Sequence, residues 1–129
     1  MIGFFPSKDH SELPQYGYHI MLGNQSIGKI SLRLGINEDV LITGHVGYEI
    51  DTDYQGNNYA FYALLMIKTL AKAHGFDYLL LTCEIGNDQS IHTILKAGGK
   101  LLESDIYVPQ NHIYYVLGKT RLNRYEIKL

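Results

Sequence analysis

The sequence predicts an α/β fold: a mixed sheet, parallel in its middle and antiparallel at its flanks, with helices packed on it. Three observations predict it. Residues 44–51 (GHVGYEID) alternate, with Val46, Tyr48 and Ile50 on one face and His45, Gly47 and Glu49 on the other. Residues 58–74 then form a long apolar helix, stopped by Gly75. Residues 78–83 (YLLLTC) are a continuous apolar run, as in a central parallel strand. Strand, helix and strand in this order make a βαβ unit with a right-handed crossover.

The remaining elements follow in chain order. Residues 1–17 are polar, carry two prolines, and read as an arm or connecting segment. Residues 18–22 and 26–35 form a hairpin around the turn residues Gly23 and Asn24. In its second strand Ile27, Lys29, Ser31 and Arg33 share a face if the strand is regular, while Ile30, Leu32 and Leu34 break the alternation and suggest partial cover on both faces. Residues 36–43 read as an irregular or weak strand. The helix over 58–74 is apolar nearly all round in its first half, which predicts burial on several sides. Residues 88–97 are a second, amphipathic helix with Ile91, Ile94 and Leu95 inward, ended by Gly98 and Gly99. Strands over 100–108, 112–117 and 122–128 complete the chain, with turns at 109–111 and 118–119.

Composition bounds the function. A chain of 129 residues favours one domain, 1–129, large enough for a core without staples. A formal charge of −2 argues against a nucleic-acid surface. Lys68 and Lys72 interrupt the longest apolar helix, so no membrane span is expected. The first residues lack a charged start followed by a long apolar run, so no signal peptide is expected. The single cysteine, Cys83, excludes an internal disulfide and fits a reducing cytoplasm. Within its apolar run it reads as a small buried hydrophobe. The six histidines show no metal-ligand spacing, so no metal site is expected.

The chemically suggestive stretch is 52–58, a Gly/Asn-rich knot between strand and helix. The first turn of a helix carries unpaired N–H groups, and these with the helix dipole attract an anion. Gly56 lets a phosphate approach the backbone, and Asn57 and Asn58 tolerate positive φ. The knot lies at the carboxyl end of a strand, where open α/β sheets bind ligands. No Gly-Lys-Ser/Thr follows, so it is not a Walker loop. The plainer reading is a turn, with Asn57 capping the helix.

Two motifs weigh toward the anion. Gln55-Gly-Asn-Asn-Tyr-Ala60 resembles the Gln/Arg-x-x-Gly-x-Gly/Ala loop of the GNAT superfamily of acetyl-CoA-dependent N-acetyltransferases. Asn87-Asp-Gln-Ser90 followed by Gly98-Gly99 is similar to that superfamily's second hallmark. The likeness is strongest over 44–104 and resembles a bacterial subgroup of uncharacterised substrate. It implies a centrally splayed sheet with helices on both faces, and acetyl-CoA in the gap between strands 44–51 and 78–85. Backbone groups of Glu49, Ile50 and Asp51 would pair with the pantetheine arm. Amides of Gln55, Gly56, Asn57, Asn58, Tyr59 and Ala60 would hold the pyrophosphate, and Asn87 would bond the cofactor or simply cap its helix.

The implied reaction is attack of a neutral amine on a thioester, so a base or desolvation must free the amine lone pair. Glu49, on the open side of its strand, is the candidate base, with His45 further back; a solvated strand-end carboxylate is the plainer reading. A backbone N–H near Glu49–Ile50 would serve the oxyanion. The tyrosine that many relatives use as acid falls on Ile94 here, leaving the hydroxyl of Ser90 as candidate donor or as a plain helix-start residue. Two further departures are Asn58 at the usual glycine, and an N-terminal region too short for the usual helix pair, which is then shortened or absent. The expected acceptor is the amine of a small molecule or peptide; the tyrosines of the flanking strands, including Tyr107, Tyr114 and Tyr125, read mostly as half-buried strand residues, with a few lining its pocket or, equally, a homodimer surface. The rival expectation is a CoA-sensing or interaction module of the same fold without chemistry.

Overall fold

A computed structural model describes residues 2–5 and 13–129. Seven strands and four helices follow in the order β1 (Ile2–Phe5), β2 (Gln15–Leu22), β3 (Gln25–Arg33), α1 (Glu38–Thr43), β4 (Val46–Ile50), α2 (Tyr59–Ala73), β5 (Tyr78–Glu84), α3 (Asp88–Lys96), β6 (Gly99–Tyr107), α4 (Ile113–Val116) and β7 (Arg121–Lys128). The expected βαβ unit is present as β4–α2–β5. Its strands, however, do not share a ladder. The described strands fall into two antiparallel sheets, β1-β2-β3-β4 and β5-β7-β6. The parallel centre expected from the sequence is reduced to a junction between β4 and β5, described with the site below.

The central run of β5 is covered on both faces. Leu79, Leu81 and Cys83 pack into one core with Ala63, Leu64, Ile67 and Ala71 of α2 and Ile94 of α3. On the opposite face the Thr82 hydroxyl donates to the Ile42 carbonyl of α1 (2.7 Å). Helices thus lie on both faces, as expected. Sheet one turns Ile30, Leu32 and Val46 into the same core, with Tyr18, Ile20 and Tyr48 packed against it.

Five expectations are corrected. Residues 36–43 are not a weak strand. The Asn37 side chain accepts from the Val40 N–H (2.9 Å), Glu38 and Asp39 occupy the first turn, and Gly44 closes helix α1. Residues 112–117 are likewise helical: the His112 ring caps α4 by accepting from the Tyr114 N–H (3.0 Å). The supposed arm contains β1, and β2 already begins at Gln15; the expected shortening of the helix pair falls on residues 6–12, outside the described residues. Finally, α2 is not buried all round, because Tyr62 and Met66 are exposed while Ala63, Leu64, Ile67 and Ala71 face the core. Leu95 of α3, expected inward, is exposed, leaving Ile91 and Ile94 on the packed side.

Candidate acyl-transfer site

The site starts where the two sheets meet. His45, just before β4, makes two bonds to one residue of β5. Its N–H donates to the Leu80 carbonyl (2.7 Å), and its ring Nδ1 accepts from the Leu80 N–H (2.9 Å). The ring is 3% exposed and meets Phe76 and Tyr78 edge-on. An Nδ1 that accepts must be unprotonated, so the imidazole is neutral. Burial pushes its pKa below the usual value, and the Arg33 charge adds to this, while a hydrogen bond to the Gly35 backbone opposes both. His45 is therefore a staple between sheets and not a base. Gly44 permits the close approach: at φ 78° a Cβ would stand 2.9 Å from the Leu80 carbonyl oxygen.

Beyond the staple the strands part. A small cavity of about 140 Å³ opens between Gly47 and Tyr48 of β4, Thr82–Glu84 of β5, and the start of α3. The Tyr48 hydroxyl crosses it to the Ser90 hydroxyl at 2.8 Å. Burial raises the Tyr48 pKa, partly offset by its bond to Ser90, so this phenol stays protonated at neutral pH. Tyr48 is the residue that sequence reasoning missed. Its inward position in the alternating strand was visible, but a partner 42 residues away was not.

The predicted cofactor residues of the loop follow β4, the strand that lines one side of this gap. After Ile50 and Asp51 the chain makes a 3₁₀ turn, Thr52–Tyr54, and then an exposed loop. The Gln55 side chain donates back to the Ile50 carbonyl (2.9 Å), and the Asn57 side chain donates to the Tyr54 carbonyl (3.2 Å). These two side chains organise the loop, and Asn57 does not cap α2. Gly56 (φ 84°) and Asn58 (φ 62°) both take the left-handed conformation. Asn58 occupies the cap position, yet no side chain caps the helix and no acidic residue sits in its first turn. The leading amides of α2, from Tyr59 and Ala60 onward, are thus left for a ligand. A Cβ at Gly56 would meet nothing within 4 Å, so space as well as donors is available.

The other candidates are more dispersed. Asn87 caps α3 by accepting from the Ser90 N–H (3.3 Å), the plainer of its two readings. Glu49 is exposed on the outer face of β4, directly across from Lys29 in register, and forms no ion pair among the described residues. Tyr48, next to it in the strand, faces inward. Glu49 and Ser90 therefore flank β4 from opposite faces instead of meeting. Ile94 is 1% exposed within the core, so no hydroxyl stands at the usual acid position. Burial raises the pKa of the Cys83 thiol, as befits a packed residue. No helix is long and apolar enough to cross a membrane among the described residues.

Comparison with known proteins shows the family and the fold. The family model described as "Acetyltransferase (GNAT) domain" matches residues 3–100. No curated protein matches by sequence. Among solved structures, the microcin C7 self-immunity acetyltransferase MccE, crystallised with acetyl-CoA and AMP, superposes with a TM-score of 0.67 at 17% identity, over 89% of this chain and 61% of its own. RimL, a ribosomal L7/L12 α-N-protein acetyltransferase in complex with coenzyme A, gives 0.68 at 18% identity, over 89% and 62%. An IAA acetyltransferase from Bacillus cereus ATCC 14579 gives 0.70 at 14% identity, over 100% and 99%. The chain thus spans less than two thirds of the first two, but nearly the full length of the third.

Proposed function

Because the chain belongs to the GNAT acetyltransferase family, we propose that it transfers the acetyl group of acetyl-CoA directly to a primary amine of a small molecule or peptide. The observation that carries this reading is the gap beyond the His45–Leu80 staple, with the Tyr48–Ser90 pair inside it and an uncapped helix start following β4. The loop fits a diphosphate on chemical grounds: left-handed residues, exposed backbone donors and no acidic side chain in the first helical turn. Amides of Gly56 to Ala60 hold that diphosphate, Gln55 fixes the loop that presents them, and the free edge of β4 at Glu49, Ile50 and Asp51 aligns the pantetheine arm.

The bound thioester supplies an activated acyl group with a thiolate as leaving group. The chain's residues supply the proton management. Glu49 takes a proton from the incoming ammonium, directly or through water, at the outer face of β4. A main-chain N–H near Glu49–Ile50 faces the carbonyl oxygen as charge develops on it. On the inner face Ser90, backed by the Tyr48 hydroxyl, passes a proton to the departing sulfur, and the second proton lost by the acceptor nitrogen restores the hydroxyl through solvent. A thiolate with a pKa of about 8.5 leaves readily, so a weak donor is enough. Asn87 holds the first turn of α3, and hence Ser90, in place.

Ile94 favours one rival, a CoA-binding module without turnover, because the usual acid position is sealed in the core. Titration with acetyl-CoA tests the shared part. Binding that survives in wild type and is lost in Gly56→Glu supports the cradle, and unchanged affinity in that variant refutes it. Release of CoA thiol that depends on an added amine then separates the enzyme from the inert module.

A further inference from the structure

Strand register places three small residues side by side on the outer face of the first sheet. Gly17 pairs with Ser31, and Ser31 pairs with Gly47. With strands about 4.8 Å apart, this row forms the floor of a trough running across three strands. The next row on the same face, His19, Lys29 and Glu49, is also in register and forms one bank. Gln15 lines the other, and Arg33, its cross-strand partner, stands just beyond. A Cβ built on Gly47 would lie 3.5 Å from the Ser31 hydroxyl and 4.0 Å from Arg33 Nη1, so the guanidinium reaches over the floor at β4. Its Nη1 donates to the Gly44 carbonyl (3.1 Å). The depression measures about 440 Å³. Nothing about packing demands glycine at 47, since a Cβ would make only ordinary contacts there.

Charges of both signs border this trough. One anion, Glu49, lies at the β4 end where the acyl gap opens, and two cations, Lys29 and Arg33, flank Ser31. We propose that the trough is the acceptor site, and that it takes an amine carrying its own carboxylate at about the reach of a dipeptide. The assignment rests on the acetyl transfer proposed above. The ammonium docks against Glu49, and the carboxylate settles over Ser31 between Lys29 and Arg33. Glu49 and Ser31 are diagonal neighbours, about 7–8 Å apart, which matches two extended residues at roughly 3.3–3.6 Å each. A neutral amine lacks the second anchor, and a bulky floor would exclude both.

The test uses the intact chain with acetyl-CoA and two probes, alanyl-alanine and its C-terminal amide, followed by CoA thiol release. The acid is expected to exceed the amide by about tenfold in kcat/KM, as a charge-assisted contact implies, and this ratio should shrink with added salt. Lys29→Glu should abolish the preference through the KM of the acid, leaving the KM of acetyl-CoA unchanged. Ser31→Val should raise the KM of the acid with kcat retained. Equal use of acid and amide by the wild type, or an undiminished preference in Lys29→Glu, overturns the acceptor assignment while acetyl transfer stands. No thiol release with either probe or with simple alkylamines overturns the transfer itself, and the acceptor assignment with it.

Discussion

Replacing His45 by leucine keeps the bulk of the junction and removes its acceptor. The Leu80 N–H then faces a buried apolar side chain with no partner, at a cost of about 1–3 kcal/mol. For a chain of 129 residues the unfolding entropy is about 0.27 kcal/mol/K. The melting midpoint should therefore fall by about 4–11 °C. The same residue makes a second, independent prediction. Its folded pKa is depressed, so below about pH 6.5 the unfolded chain binds a proton that the folded chain refuses. The His45 contribution is fully present above that pH and is lost as pH falls toward the folded value. The slope approaches about 1.4 kcal/mol per pH unit at most. Denaturant melts of wild type and His45→Leu between pH 7.5 and 5 check both effects, and their difference isolates His45 from the other histidines. Parallel pH curves, or a midpoint shift near zero at neutral pH, would refute the staple.

Asn58→Gly should relieve the left-handed backbone at φ 62°, change stability by no more than about 1 kcal/mol, and keep or tighten acetyl-CoA binding by calorimetry. Tyr48→Phe and Ser90→Ala should each lower kcat by about 10–100-fold, at or below the low end of general-acid catalysis. The double variant should be no worse than the weaker single, because the two hydroxyls share one proton path; additive losses would contradict that. Glu49→Gln should lower kcat about 100-fold near neutral pH, with the rate recovering as pH rises and the amine deprotonates in solution; a pH profile parallel to wild type would remove Glu49 from the chemistry.

The elements legible in the sequence were those with long periodic patterns or firm stops. The alternation at 46–50, the apolar run at 78–83 and Gly75 after α2 place the βαβ unit within a residue or two. The two missed helices are short, and their residues (Val40-Leu41-Ile42 and Ile113-Tyr114-Tyr115-Val116) favour strands by propensity. Local caps and tertiary contact override that preference. Asn37 and His112 supply the caps, and His112 reaches across to Asp39 of α1 at 2.6 Å, tying the two helices together. The left-handed turn before α2 was legible because glycine and asparagine signal that backbone. The roles of Gln55 and Asn57 as loop organisers were not, since each depends on which carbonyl its amide meets. The splay itself was invisible to pattern reading. It begins beyond one histidine that bonds both groups of Leu80, a contact across 35 residues that no periodicity encodes.

The most direct test is to incubate the protein with acetyl-CoA and a carboxylate-bearing primary amine, and to quantify free CoA thiol and acetylated amine together. Equal amounts of both, formed only when protein and amine are present and abolished by Gly56→Glu, are the predicted result. Acetyl-CoA that binds yet persists unchanged with every amine would contradict acetyl transfer and leave a nucleotide-binding module in its place.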